Sequence, residues 1–578
     1  MAESYFLLAA TFIPLLVAPL AYGIGRKAGI NAATWLSFGA LAVSTGLLLV
    51  PAMWIYNGHH QTYVETYKWG QFGDFGLRLD GLSLPFALII YILCTVIALY
   101  SKPYMVHKVS EDLPEHKGGQ GNDSSAQSSD HGSNAGSPNI SGSQLTVLET
   151  DQRVKNQMAL YFSLYLAFSM GMLGTVLATN LIEFYVFFEL MLVPSFFLIA
   201  FYGYGARRRI ALMFFFWTHA GAVVLLLGLL AMGFFAGGFD YETVRANAAN
   251  IPAHWLPLII FALVIGLGVK LAAFLLHIWL PYAHAEAPTP VSALLSPAMI
   301  GIGAYGLLRL WMELLGGTGT YEQYNLYINM WGLATMIYGG AMALMQDDIK
   351  RVLAYSSISQ MGYILFGLGS ESVLGISGGT MMYVTHGLGK AILFMMAGSI
   401  IMQTGTRSMA KLGGLAGKMP YTATIAMIGA LTIIGIPPTS GFMGEWILFN
   451  GVLQTATVHM DSLRTTMFAL GILATVLSSA YILWMFKRIF FGKIPEELTH
   501  VKDSNRYITA TMAVFAAMTL IIGVLPDTFL TPITDYIGGM FQGNEAVLPV
   551  PVHAEISTAQ NGFTLGAGSD IDSSGGSG

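Results

Sequence analysis

Ionisable side chains lie inside several apolar stretches of this 578-residue chain. A charged group at the centre of a bilayer is unfavourable, so such residues are rare and mostly carry protons or ions, or pair with another buried charge. Five residues of this kind stand out: Glu189, Lys270, His386, Lys390 and Glu445. Carboxylates, amines and imidazoles all exchange protons, so this set predicts a proton-transfer path across a membrane.

Glu189 and Lys270 have only uncharged, mostly apolar neighbours in sequence. The alternative to a proton-transfer role for Glu189 is a carboxylate that pairs to hold two helices together. Lys270 lies about ten residues from either end of the apolar stretch 255–279, too deep for its ammonium group to reach the interface easily. Pairing with Glu189 would be a structural role for Lys270, and it is compatible with proton transfer.

His386 and Lys390 are four residues apart and therefore share one face of a helix. A lone buried histidine is more often a hydrogen-bonded core residue. Beside a lysine it indicates a relay, because imidazole titrates near neutral pH. His277 follows Lys270 by two turns on the same face, and His284 is expected in the loop beyond. Either histidine could feed protons to the path; the alternative is an ordinary loop histidine.

Glu445 follows the double proline Pro437-Pro438. Proline lacks a backbone donor and clashes with the preceding turn, so the helix is expected to break there. Helices that break at membrane depth line cavities, where the freed backbone groups find water. We expect Glu445 to release protons at the outer end of the path; the alternative is a carboxylate at a helix end on the outer surface.

The chain is expected to work without a cofactor or metal of its own. Moving one proton against ~150 mV costs about 3.5 kcal/mol, which a change of about 2.5 in the pKa of the carrier supplies. A neighbouring charge that appears and disappears can produce a change of that size at a buried lysine. The single cysteine, Cys94, cannot hold an iron–sulfur cluster or a structural zinc, and no dinucleotide motif follows a predicted strand.

The elements that position these residues are predicted to be membrane helices. The chain is 54% hydrophobic and 10% charged, and a helix needs about 20 apolar residues to cross a bilayer. We expect an all-α integral membrane protein with about fourteen spans. They are predicted at 4–24, 32–54, 82–101, 158–178, 181–202, 210–235, 255–279, 289–311, 329–346, 352–369, 377–402, 421–440, 466–490 and 507–525. The stretch 441–458 extends the twelfth, and Pro281 and Pro297 predict breaks or kinks around the seventh and eighth.

The basic residues alternate from loop to loop. Of the 27 Lys and Arg residues, 20 lie in every second loop or at the span ends beside it, five lie in or beside the loops between, and two, Lys270 and Lys390, lie deep within spans. The positive-inside rule then places both termini outside. The first apolar run, from Tyr5 to Ile24, lacks the basic flank and cleavage site of a signal peptide and is expected to be retained. Two polar segments, 109–152 and the tail from about 554 to 578, are expected to be disordered.

Four motifs resemble the antiporter-like subunits of complex I. They are Phe187-Phe188-Glu189-Leu190-Met191-Leu192-Val193-Pro194, His277-Ile278-Trp279-Leu280-Pro281-Tyr282-Ala283-His284-Ala285-Glu286-Ala287-Pro288, Tyr355-Ser356-Ser357-Ile358-Ser359-Gln360-Met361-Gly362 and Gly435-Ile436-Pro437-Pro438-Thr439-Ser440-Gly441-Phe442. The similarity extends over roughly 70–495 and is strongest to the M-type subunit, subunit 4 of mitochondria. Glu445 carries that assignment, since L-type, N-type and stand-alone antiporter chains usually have lysine there.

The resemblance implies two inverted five-helix repeats, broken helices 7 and 12, and a glutamate in the fifth helix, here Glu189, that tunes the lysine of the seventh, here Lys270. The implied parts are an N-terminal unit at 1–157, repeats at 158–312 and 329–490, a last helix within 491–545 and a polar tail at 546–578.

Three features depart from the M-type pattern. Many bacterial M-type chains have a lysine in the eighth helix where this chain has Gly301, whereas Lys390 beside His386 is more typical of L-type chains. The central proton step is therefore expected in the eleventh helix. The stretch from Pro288 to Gly306 is similar to archaeal complexes that use a deazaflavin or ferredoxin donor, and the insertion at 109–152 matches no part of the pattern.

The resemblance implies a proton-translocating subunit of an NADH:quinone-type oxidoreductase in a prokaryotic plasma membrane. Reduction of quinone, or of methanophenazine in an archaeal complex, would take place in other subunits. The expected partners are the other membrane and peripheral subunits, protons and the lipid bilayer, without nucleic acid. The alternatives are a Na⁺/H⁺ antiporter subunit of a multisubunit (Mrp-type) complex and a subunit of a membrane-bound hydrogenase.

Overall fold

The computed structural model describes residues 5–58, 61–70, 73–112, 151–542 and 547–550. Most of this part of the chain is helical, as predicted. The helices are α1 (Phe6–Ala28), α2 (Ile30–Tyr56), α3 (Ser83–Glu111), α4 (Gln152–Leu177), α5 (Leu181–Tyr202), α6 (Arg207–Ala236), α7 (Leu256–Leu271), α8 (Trp279–Glu286), α9 (Thr289–Glu313), α10 (Thr320–Leu344), α11 (Ile349–Leu368), α12 (Val373–Thr404), α13 (Pro420–Ile434), α14 (Ser440–His459), α15 (Ser462–Phe490), α16 (Arg506–Val524) and α17 (Asp527–Met540), with a short helix at Tyr241–Asn247.

Ten of the described helices are long and apolar enough to cross a membrane, and α7 and α13 are apolar but shorter. The outer faces of the helices are also apolar. Leu16 on α1 is 68% exposed and Phe234 on α6 is 77% exposed, which would be unfavourable in water. In a bilayer these faces contact lipid tails, so the chain is a multi-pass membrane protein.

A β-hairpin that the sequence analysis missed precedes α3. Its strands, β1 (Thr62–Lys68) and β2 (Asp74–Asp80), pair antiparallel. The β1 sequence alternates aromatic, β-branched and charged residues, which favours a strand. Glu65 on β1 accepts hydrogen bonds from the backbone N–H groups of Leu7 and Leu8, both at 2.9 Å. The hairpin therefore caps the start of α1, where the first N–H groups lack helical partners.

Two helices end in the interior of the molecule and are followed by a non-helical segment. α7 ends at Leu271, and Ala272 and Leu275 adopt positive φ angles of 56° and 75° before α8 begins. This break lies before Pro281, which occupies the first turn of α8. Proline is tolerated there because the first N–H groups of a helix have no intrahelical partner.

The second break lies between α13 and α14. Gly435, with a φ of 77°, ends α13, and the segment 435–439 contains the double proline. The stretch 441–458, expected as an extension of the twelfth span, belongs to a separate 20-residue helix, α14. Pro297 lies in a π-helical segment of α9, Leu295–Met299, where the wider turn accommodates the missing donor.

Several predicted boundaries were wrong. α10 begins at Thr320 rather than 329, and α17 lies within the region 491–545, for which a single helix was predicted. α3 continues to Glu111 and α4 begins at Gln152, so the polar segment predicted at 109–152 overlaps both helices. Residues 113–150 and the tail from 551 lie outside the described residues.

A buried cluster of charges joins the hairpin, α9 and α17. Arg309 donates two hydrogen bonds to Asp80, at 2.7 and 2.8 Å, and one to Glu313 at 2.5 Å. Arg78 contacts Asp80 and Glu313, each at 2.9 Å. The hydroxyl of Tyr536 accepts from Arg309 at 2.7 Å and donates to Glu313 at 3.0 Å. Both arginines, counted in the sequence analysis as loop charges, are buried in this cluster.

Asp80→Asn is expected to lower the free energy of unfolding by about 3–5 kcal/mol, because it leaves the buried Arg309 without its bidentate partner. Glu242→Gln is the matched control. Glu242 pairs with Arg78 at 3.3 Å but its side chain is 69% exposed, so its loss should cost under about 1 kcal/mol. Thermal unfolding of the detergent-solubilised protein measures both. Equal decreases in the unfolding temperature of the two variants would show that the buried cluster stabilises the fold no more than the exposed ion pair does.

The pH dependence of this contribution follows from Asp80. Burial alone would raise its pKa, but the charges of Arg309 and Arg78 and their hydrogen bonds hold the pKa of Asp80 below its usual range. Its stabilisation is therefore present above the unfolded value of about 3.9 and is lost as the pH falls below that value. The difference in unfolding temperature between wild type and Asp80→Asn should stay constant between pH 8 and pH 5.

The segment 113–150 is expected to be dispensable for the proton transport that the sequence predicts, because its sequence lacks the apolar residues needed to build a core. Residues 107–112 should be kept, since Asp112 pairs with Lys108 and Arg207, each at 2.8 Å. A variant in which a short Gly-Ser linker replaces 113–150 should transport protons near the wild-type rate in proteoliposomes. An assembled but inactive complex would assign this segment a direct role.

Candidate functional site

Glu189 lies on α5 and is paired, but not with lysine. Its Oε2 lies 2.9 Å from Nδ1 of His219 on α6, and the carboxylate is 20% exposed. The sequence analysis missed His219, although a histidine inside the apolar run 210–235 carries the same signal as the other candidates. Glu189 Oε1 is buried without a protein partner among the described residues.

Lys270 lies in the last turn of α7, immediately before the first break, and is 2% exposed. Its Nζ lies 4.5 Å from the ring centroid of Phe188 and has no hydrogen-bond partner in the described part of the chain. Lys270 interacts electrostatically with Glu189, without a contact as short as an ion pair among the described groups. The amine of Lys270 therefore packs on an aromatic ring and interacts with the Glu189 carboxylate over a longer distance.

The two histidines that follow Lys270 lie in different surroundings. His277 lies in the break rather than on the helical face of Lys270, and its Nε2 lies 3.0 Å from the Tyr338 hydroxyl. His284 is not a loop residue: it lies on α8, fully buried, with its ring 5.0 Å from that of Phe394. The break shifts both residues away from the positions that a continuous helix would give them.

Lys390 and His386 lie together on α12, as their spacing predicted. Lys390 Nζ donates to Leu353 O at 3.0 Å and to the Ser356 hydroxyl, both on α11. His386 and His284 are buried, and neither ring has a hydrogen-bond partner among the described residues. His284 interacts electrostatically with Lys390, and His386 interacts with both. Residues from α8 and α12 thus form one cluster of ionisable groups.

Gly301 has no room for a side chain. A Cβ at this position of α9 would overlap the ring of Tyr383, which lies one turn before His386 on α12. The Tyr383 ring also stacks on Phe86, with centroids 4.1 Å apart. The aromatic side chain therefore fills the space that a lysine at position 301 would need.

Glu445 lies in the second turn of α14, after the second break, and is 9% exposed. Its carboxylate lies against the backbone of Gly435, where a Cβ would collide with it, and Oε1 has no protein partner in the described structure. A Cβ at the neighbouring Gly444 would lie 3.5 Å from Thr385, the residue before His386. α14 thus packs at Gly444, the residue before Glu445, on the α12 segment that precedes the central histidine and lysine.

Two family models match parts of this chain. The profile described as "NADH:quinone oxidoreductase/Mrp antiporter, TM" matches residues 178–478, more than half of the chain. The chain belongs to this family. A second profile, "NADH-Ubiquinone oxidoreductase (complex I), chain 5 N-terminus", matches residues 69–112. The resemblance to complex I-type antiporter-like subunits is confirmed.

Two relatives are similar over most of their own length. NADH-quinone oxidoreductase subunit M of Rickettsia typhi is 34% identical over 378 residues, covering 65% of this chain and 74% of the relative. The F(420)H(2) dehydrogenase subunit M of Methanosarcina mazei is 33% identical over 395 residues, covering 67% of this chain and 76% of the relative. Both similarities are to subunits designated M.

Two solved structures share the fold. A chain of respiratory complex I from Thermus thermophilus has a TM-score of 0.73 and 23% identity, and the match covers 92% of this chain and 99% of that chain. A chain of the Mrp complex from Dietzia sp. has a TM-score of 0.75 and 19% identity, with 95% and 100% covered. The architecture of this family member is therefore the one found in both complexes.

Proposed function

We propose that this chain carries protons across the membrane as the M-type antiporter-like subunit of a complex I-type oxidoreductase. The observation that supports it is a set of buried ionisable groups whose polar atoms have no hydrogen-bond partner among the residues that the structure describes. They include Lys270 Nζ, both ring nitrogens of His284 and His386, and Glu445 Oε1. Buried polar groups normally have a partner, and in a proton path water supplies it.

The groups have distinct roles in this proposal. The pairing of Glu189 with His219 at 2.9 Å provides a switch, because a carboxylate released from His219 acts more strongly on Lys270. Lys270 is the carrier at the first break. His277, whose Nε2 already bonds Tyr338, relays protons along the non-helical segment beside it.

The second half of the path runs through α12 and α14. Lys390, held by Leu353 and Ser356, exchanges protons with His386 and His284. Glu445, beside the second break, passes protons to the outer side. Because Tyr383 fills the space beside Gly301, the central proton step uses α12, the eleventh predicted span, instead of α9. The differences from the M-type sequence pattern led to the same expectation.

The proposed topology has fourteen spans. The ten long apolar helices supply ten, and α10, α11 and the two broken pairs, α7–α8 and α13–α14, supply four more. The proposed inverted repeats at 158–312 and 329–490 each contain one broken pair. The alternation of Lys and Arg supports a plasma-membrane orientation with both termini outside.

Redox chemistry is proposed to take place in partner subunits, with none in this chain. The relatives named as subunits of NADH-quinone oxidoreductase and of F(420)H(2) dehydrogenase support a pump of this kind with either donor. The second candidate function is a Na⁺/H⁺ antiporter subunit that uses an existing ion gradient. The shared fold with a chain of an Mrp complex is compatible with it.

Affinity purification of the tagged chain from its host decides between the two functions. A complex I-type subunit should co-purify with iron–sulfur subunits, and proteoliposomes of that complex should acidify their lumen when the electron donor and a quinone are added. Purification with antiporter subunits alone, and Na⁺-dependent proton exchange without an electron donor, would support the second candidate instead.

A further inference from the structure

Lys350 is a buried lysine that the sequence analysis counted among the loop charges. It lies at the start of α11 and is 0% exposed. Its Nζ donates to the backbone carbonyl of Ala287, between α8 and α9, and to that of Ala285 at 3.4 Å. Among the described residues the amine contacts carbonyls and an aromatic ring, while Asp348 and Glu286 act on it only from beyond ion-pair distance. A buried amine in such surroundings is costly to charge, so its position requires an explanation.

A cavity of about 220 Å³ lies next to this lysine, at the end of the molecule whose loops carry most Lys and Arg. Titratable and phenolic side chains line it: Tyr104, His107, Lys108, Glu111 and Tyr204. His107 lies 3.5 Å from Glu111 at this cavity. The volume is sufficient for several water molecules.

One aromatic residue separates the cavity from Lys350. The Tyr204 ring has Lys108 Nζ 4.5 Å from its centroid and Lys350 Nζ 5.4 Å from it. The hydroxyl of Tyr204 is hydrogen-bonded to that of Tyr104, which also accepts from Thr289 at 2.9 Å. Linked hydroxyl groups can pass a proton by donating one and accepting another.

Beyond Lys350 lies His284. The histidine interacts electrostatically with both Lys350 and Lys390, and neither of its ring nitrogens has a protein partner in the described structure. His284 therefore links the lysine beside the cavity to the lysine at the centre of the molecule. No role in the proposed function uses Lys350, Tyr104 or Tyr204.

We propose that Lys350 is the residue through which protons are taken up into the second half of the path. The proposal rests on the proposed proton-transport function. A proton from water in the cavity passes along the Tyr104–Tyr204 hydroxyl pair to the neutral Lys350 amine. The Nζ–H bond of the resulting ammonium then breaks as a bond to a ring nitrogen of His284 forms, and His284 delivers the proton towards Lys390.

The competing explanation is structural: Lys350 is a fixed cation that ties α11 to the α8–α9 connection. Arginine separates the two explanations because guanidinium donates to carbonyls but does not lose its proton in a protein. Lys350→Arg should therefore preserve a structural role and abolish a proton-carrying one.

The test uses the assembled complex in proteoliposomes with Lys350→Arg, Lys350→Met and Tyr204→Phe, which keeps the ring and removes the hydroxyl. We expect Lys350→Arg and Lys350→Met to slow proton transport at least about tenfold, and Tyr204→Phe to slow it several-fold, with normal assembly of the Arg and Phe variants. Arg351→Gln, one residue further along α11 and packed on Tyr282, is the control and should transport normally.

Wild-type transport by Lys350→Arg would overturn the uptake role, whatever Lys350→Met does. Wild-type transport by Tyr204→Phe would overturn the hydroxyl route. Lys270→Ala is measured alongside. If it also transports normally, the proposed function itself fails. If it is inactive while Lys350→Arg is active, the uptake proposal alone fails.

Discussion

Lys270→Ala is expected to abolish proton transport by the assembled complex, with a loss of about 100-fold or more. Lys270 is the proposed carrier at the first break, where its amine contacts the Phe188 ring and has no hydrogen-bond partner among the described residues. Groups that transfer protons directly contribute factors of about 10²–10⁴. The rate of lumen acidification in proteoliposomes driven by the electron donor measures the effect.

Assembly of the Lys270→Ala variant should remain normal. Glu189 keeps its partner His219, so the substitution leaves no unpaired carboxylate and removes a buried charge. Lys270→Arg should also be inactive, since guanidinium does not release its proton. Lys493→Ala, at an exposed site after α15, is the matched control. Normal transport by Lys270→Ala would contradict the proposed path.

Glu445→Gln is expected to reduce transport strongly, by about tenfold or more, because an amide cannot accept and release the proton that a carboxylate can. Glu445 is the only carboxylate in sequence between Arg407 and Asp461, so no acid in that stretch can replace it. Glu445→Asp should retain a substantial part of the activity. Its carboxylate is one methylene shorter and still faces the space that Gly435 leaves beside the second break.

Glu445→Lys is the sharper variant, since related chains have lysine at this position. If the site needs only a titratable group, lysine should restore part of the transport lost in Glu445→Gln. Glu497→Gln, at an exposed site between α15 and α16, controls for loss of a carboxylate elsewhere. If the Gln, Asp and Lys variants all transport like the wild type, Glu445 is structural and protons leave by another route.

The membrane helices could be predicted from the sequence because crossing a bilayer requires about 20 apolar residues in one run, a local property. The element boundaries that were predicted wrongly lie in stretches rich in polar residues. α10 begins at Thr320, in a stretch with Glu322 and Asn325, and the β-hairpin is mostly polar. Such segments are stabilised by contacts, as Glu65 shows by capping α1, and hydropathy does not report these contacts.

The candidate residues could likewise be named from the sequence. An ionisable side chain inside an apolar run is conspicuous because the bilayer makes it costly. His219 carried that signal and was missed. The roles of His277 and His284 could not be assigned, because the break after α7 turns His277 towards Tyr338 and buries His284 against Phe394.

The sequence by itself determined that the chain is a multi-pass membrane protein, that it belongs to the complex I-type family and which ionisable residues lie in its spans, since these depend on residue type and order. Tertiary structure alone decided which groups meet. Glu189 pairs with His219, Tyr383 closes the space at Gly301, and Lys350, one residue before the partly buried Arg351, is fully buried. These contacts join residues far apart in the chain, and their distances follow from helix packing, which local pattern does not specify.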